Sequence, residues 1–149
     1  MSHKSSKIKA LVSEFEGHAL DPRYLGYFAC FNRQEFYLAH DVLEDFWLEK
    51  RGTPEADFYK ALIQLAGAFV HLQKERLAPA GALFRLCKGY FARFPSTYQG
   101  LDVTQIMVWA DRWIELLEQG RYRINPLLSV ASPQIYPRDI GIASIRSSR

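Results

Sequence analysis

The chain has 149 residues, of which 48% are hydrophobic, 14% aromatic and 23% charged, and its net charge is +3. A chain of this length buries roughly 68–70% of the surface exposed when unfolded, enough for one real core, and its composition excludes a disordered or fibrous chain. Basic residues alternate with acidic ones except at the two ends ("SHKSSKIK" and "IRSSR"), so the charged stripe expected of a nucleic-acid binder is missing.

Ile8, Leu11, Val12 and Phe15 are spaced for a short amphipathic helix capped by Ser5 or Ser6. The stretch "LDPRYLGYFACF", with Pro22 and Gly26 among aromatics, reads as an ordered connector packed on the core by Tyr24, Phe28 and Phe31. Asn32, with Glu35 three residues on, predicts a capping box and the start of a second helix. Two rows run down its inner side: Phe36, His40, Leu43 and Trp47, beside Ala39, Val42 and Phe46. It ends near Lys50 and Arg51, before Gly52.

Thr53 as cap and Pro54 at the first helical position predict a third helix, reaching about Glu75. It is apolar on most sides, which marks it as the central helix, and Ala61, Ala66, Gly67 and Ala68 let another backbone come close. Pro79 predicts the start of a fourth helix with the stripe Leu83, Leu86, Tyr90 and Phe94, stopped by Pro95. Asp102 and Gln105 form a second capping-box pattern. The fifth helix then turns Val103, Ile106, Ala110, Trp113 and Leu117 inward and ends at Gly120. Three prolines exclude another long helix beyond that point, leaving a tail that lies along the bundle through Leu127, Leu128 and Ile135.

The expectation is therefore all-α: a compact bundle of four to five helices forming one domain over residues 1–120, with an extended, partly mobile tail over 121–149. Cys30 and Cys87 lack metal-ligand spacing and read as free buried thiols. An N-terminus without a signal peptide and the lack of any run of 18 apolar residues point to the cytoplasm and away from membranes.

One polar group stands out. His40 lies on an inward row, and Glu44 is one turn along on the adjoining edge. A carboxylate at that spacing can bond the imidazole or converge with it on a metal or small ligand. Gln64 and His71 are two turns apart on the third helix, with Gly67 and Ala68 between them. An antiparallel hairpin would place Glu44 near Gln64 and His40 near His71. His40, Glu44 and His71 are then the candidate metal ligands. His40 and Glu44 are candidates for acid–base work, and Gln64, His71 and Trp47 for holding a ligand. Trp47 equally suits a core role at the end of the hairpin.

The stretches "FNRQEFYLAHDVLEDFW" and "FYKALIQLAGAFVH", with the Gly81-Ala82 step and the leucines after it, resemble domain-of-unknown-function family three hundred and nine over about residues 31–103. These are small helical proteins whose hallmark is Phe-Asn, an aromatic, His-Glu-x-x-Glu-x-x-Trp, and then Leu-Ile-Gln-x-Ala. The resemblance implies that His40, Glu44, Trp47, Leu62, Ile63, Gln64 and Ala66 carry the pattern. It departs at Asp41, where the family has glutamate, one methylene longer. The family supplies no activity, so a reaction, an enzyme class and a cofactor all stay open. Two readings remain. One is a ligand- or metal-binding site between the second and third predicted helices, built on His40, Glu44 and Gln64. The other is a self-associating interaction module, with those residues as a buried hydrogen-bond network and an aromatic surface as the working face. The expected partners are a second copy, a small ligand or another protein, not nucleic acid.

Overall fold

Asp21 and Pro22 open the most aromatic helix of the molecule, where the sequence reads as a connector. In the computed structural model, which describes residues 3–138, the Asp21 side chain accepts a hydrogen bond from the Arg23 backbone N–H at 2.8 Å, and Pro22 takes the first helical position. An Asp-Pro pair is a loop signal and equally a cap followed by a preset first turn. Here the second meaning holds, because Tyr24, Tyr27, Phe28 and Phe31 all become buried on the resulting helix.

Among the described residues there are six α-helices: α1 (His3–Glu14), α2 (Pro22–Asn32), α3 (Phe36–Lys50), α4 (Ala56–Gln73), α5 (Leu77–Phe91) and α6 (Val103–Gln119). A 3₁₀ turn follows at Pro126–Leu128. A small antiparallel hairpin, β1 (Thr97–Tyr98) and β2 (Leu101–Asp102), joins α5 to α6. The fold is all-α. Helix α4 packs between α3 and α5, α2 lies against α3, and α6 against α5. Fully buried Tyr27 donates its hydroxyl to the Leu62 carbonyl of α4 at 2.6 Å, so α2 is tied to the centre by a polar bond as well as by area.

Several boundaries differ from expectation for local reasons. Asn32 is the last residue of α2, and α3 begins at Phe36 with no side-chain cap. Thr53 does not cap α4 either: its hydroxyl donates back to the Lys50 carbonyl at 2.6 Å, finishing α3, and α4 starts at Ala56. Pro79 sits inside the first turn of α5, where no helical partner exists for its missing N–H, so the helix starts two residues earlier. The buried stripe of α5 is Leu77, Ala80, Phe84, Cys87 and Phe91, one position round from the expected row. Leu86 is 51% exposed, and Leu83, Tyr90 and Phe94 are half-buried. Asp102 does cap α6, accepting from the Gln105 N–H at 3.0 Å, and the five residues expected to face inward are its buried residues.

Both cysteines are free and buried, and burial pushes the Cys87 thiol up to about 12. The segment after α6 crosses the bundle as a strap. Asn32 holds it from both sides, donating to the Ile135 carbonyl at 2.9 Å and accepting from the Ile135 N–H at 2.7 Å. The Arg138 N–H donates to the Gly100 carbonyl at 2.7 Å. Gly100 has φ +77°, and a Cβ there would lie 2.2 Å from the Arg138 carbonyl oxygen, so only glycine fits. Ile135 is buried and Leu127 half-buried, as expected, whereas Leu128 is 77% exposed. The expected mobile end of the tail lies outside the described residues.

Phe69 of α4 meets rings from four other helices, so Phe69→Ala is expected to lower the unfolding free energy by about 3–5 kcal/mol. Loss of the α6 cap in Asp102→Ala is expected to cost about 1 kcal/mol. Urea titrations of the two variants give that ordering, or contradict it.

Candidate functional site

Helix α3 turns Phe36, Ala39, Val42, Leu43 and Phe46 into the core. His40 and Glu44 lie on the next row round and are half-buried, so the imidazole stands at the edge of the core, not within it. One residue further round, Asp41 is 6% exposed. The His40 Nδ1 lies 3.2 Å from Asp41 Oδ1. A carboxylate can only accept, so a neutral imidazole bonded in this way carries its proton on Nδ1 and turns the Nε2 lone pair outward. Glu44 completes the group: ligand-capable atoms of His40, Asp41 and Glu44 all lie within 4.8 Å of one another.

Asp41 is the member that sequence reasoning passed over. It was noticed only as a departure from the family pattern, with a shortened reach. It directly follows His40, and its carboxylate lies beside Nδ1. Its residue type and its adjacency to the histidine were the available signals.

Gln64 and His71 do not join this group. On one side of α4, Tyr59 lies against Phe46 of α3 at 4.6 Å and Phe69 against Phe36 of α3 at 4.9 Å, and the Gln73 amide donates to the Gln34 carbonyl just before α3 at 3.1 Å. On the other, Lys60 lies 5.1 Å from the Tyr90 ring of α5, a Cβ at Gly67 would lie 3.2 Å from Leu83, and Asp57 pairs at 3.1 Å with Arg93 just beyond the end of α5. At about 3.6 residues per turn, Gln64 and His71 belong to the second set. The expected pairing of His40 with His71 and Glu44 with Gln64 is therefore corrected, because the two rows leave α4 on opposite flanks.

On their own flank, Gln64 Oε1 and His71 Nδ1 are buried with no hydrogen-bond partner. Among the described residues no hydrogen bond links Gln64 to His40 or Glu44, so these three do not form one network. Trp47 is half-buried one turn beyond Glu44, and the Arg51 guanidinium lies 5.9 Å from its ring centroid.

Residues 24–83 match the model of a protein family described as "Domain of unknown function (DUF309)". Over that segment the chain is similar to this family. The matched segment starts earlier and ends earlier than the motifs alone suggest. It takes in most of α2, all of α3 and α4, and the first half of α5, and so includes His40, Asp41, Glu44, Trp47, Gln64 and His71. No curated protein matches the chain, and no solved structure does. No described helix is long and apolar enough to cross a membrane.

Burial, and then the charges of Arg76 and Lys74, hold the His71 pKa below its ordinary value. Between the folded and unfolded values the unfolded chain binds more protons, so stability is present above the unfolded pKa, near 6.5, and is lost as pH falls. Denaturant midpoints measured from pH 7 to pH 5 are expected to fall for the native protein and to fall less for His71→Gln.

Proposed function

We propose that DUF309 in this chain is a binding module whose site is the His40–Asp41–Glu44 edge of α3, and that the site takes a divalent cation of the zinc or manganese type. The observation that supports this is the convergence of one imidazole and two carboxylates within 4.8 Å on a single turn of helix. Ligand atoms around zinc with bonds of about 2.1 Å sit roughly 3.4 Å apart in a tetrahedral shell. Rotation of the flexible Glu44 side chain covers the difference. One nitrogen and two oxygen ligands suit zinc, manganese or ferrous iron better than a soft ion.

Two divisions of labour are chemically sound. Asp41 can coordinate directly, or it can hold Nδ1–H so that Nε2 faces the ion, as carboxylates commonly do behind ligating histidines. In both, His40 and Glu44 touch the ion and two or more coordination positions stay open for a small polar ligand. Trp47 follows Glu44 by about one turn of α3. Gln64 and His71, on the other flank of α4, are not ligands to the same ion.

Titration calorimetry with zinc and with manganese, after chelator treatment, is expected to give one site per chain. His40→Ala and Glu44→Gln are each expected to weaken binding at least about tenfold. At an ion concentration of 100 times Kd the native protein should gain about 2.7 kcal/mol of stability, which the variants lose. Absence of binding heat, with melting temperatures unmoved by either ion, would return the three residues to a purely structural role.

A further inference from the structure

Gly89 sits within α5, where a glycine costs roughly 1 kcal/mol relative to alanine. Its φ is not in the left-handed region, and a Cβ built on it would meet nothing within 4 Å. Neither backbone conformation nor packing within this chain requires a glycine there. Above it opens a hollow of about 230 Å³ lined by Arg85, Leu86, Gly89, Tyr90 and Arg93. Leu86 presents half its surface to solvent. The space suits one large apolar side chain brought by another molecule.

The rim carries three cations, Arg85, Lys60 and Arg93, of which Arg85 is paired with Glu118 at 2.8 Å. The Tyr90 ring carries the Lys60 ammonium 5.1 Å from its centroid and the Arg93 guanidinium 4.8 Å from it. Arg93 shares the Asp57 carboxylate, but Lys60 has no carboxylate partner among the described residues. Leu86 and Gly89 or Tyr90 follow one ridge of α5 at helical spacing, with Arg93 just beyond its end, an arrangement that receives an amphipathic helix laid alongside. Tyr90 is the one ring lining the hollow, and Lys60 and Arg93 already lie over it, so the free stacking face that single-stranded nucleic acid uses is not offered.

We propose that the Gly89 hollow is a docking site for an acidic amphipathic helix of another protein, with one apolar anchor seated over Gly89 and flanking carboxylates on Lys60 and Arg93. Close approach to the α5 backbone accounts for the glycine, and the two cations on Tyr90 set the charge of the partner. The inference is independent of the cation-binding reading, since Lys60, Gly89 and Arg93 lie outside the His40 group.

The test is fluorescence anisotropy in chelator-containing buffer with labelled 16-residue helical peptides. One carries a leucine stripe flanked by glutamates, and its counterpart has lysines in place of the glutamates. The acidic peptide is expected to bind, with affinity falling as salt rises, and the lysine peptide to bind at least tenfold more weakly. Gly89→Leu fills the hollow with a better helix former, so it should keep or raise the melting temperature while weakening the acidic peptide at least tenfold. Lys60→Glu should weaken it in the same direction. Three results would each overturn the proposal: equal or absent binding of the two peptides, binding indifferent to Gly89→Leu, or competition by a single-stranded oligonucleotide. So would sedimentation showing that the native protein self-associates and that Gly89→Leu abolishes this, because the occupant would then be a second copy.

Discussion

Phe69 is the point on which the helices agree. Its ring lies 5.5 Å from Phe31 of α2, 4.9 Å from Phe36 of α3, 5.2 Å from Phe84 of α5 and 5.0 Å from Trp113 of α6. Three of these contacts are edge-on and one is stacked, the arrangements the ring quadrupole favours, each adding about 0.5–1.5 kcal/mol beyond the area buried. Four helices converging on one ring leave little freedom in how each is rotated about its axis. Helix α4 thereby presents Tyr59 to α3 and its Lys60–Gly67 side to α5, with Phe69 touching both. That division decides which polar residues can meet.

The same constraint explains what could be read from the residues and what could not. The inward row of α6 and its Asp102 cap were legible because α6 is amphipathic in a simple way, with one partner side and one wet side. Helix α4 was recognised as central for the opposite reason, being apolar almost all round. Apolarity on most sides says little about which neighbour takes which flank, so the meeting of Gln64 with Glu44 was not decidable from spacing. The stripe of α5 was displaced by one residue because Leu83, Leu86 and Tyr90 outrank Ala80, Phe84 and Cys87 in apolar bulk, while packing on α4 and α6 selects the row that fits. His40 and Glu44 stood out in the sequence as polar residues beside a buried stripe. Asp41 did not, because its burial depends on tertiary covering that a helical wheel does not show.

The two candidate surfaces follow from this layering. The α3–α4–α5 layer has α1 and α2 against α3 and α6 against α5. The His40 group sits on its α3 margin, and the Gly89 hollow sits on its α5 margin.

Asn32 closes the account of the fold in time as well as in space. Its side chain is matched to Ile135, a residue 103 positions later, by one donated and one accepted hydrogen bond, like one rung of a sheet without the sheet. During synthesis Asn32 is made long before the segment it grips. The strap therefore closes a loop that holds four helices, and that closure costs chain entropy that grows only slowly with the length of the loop.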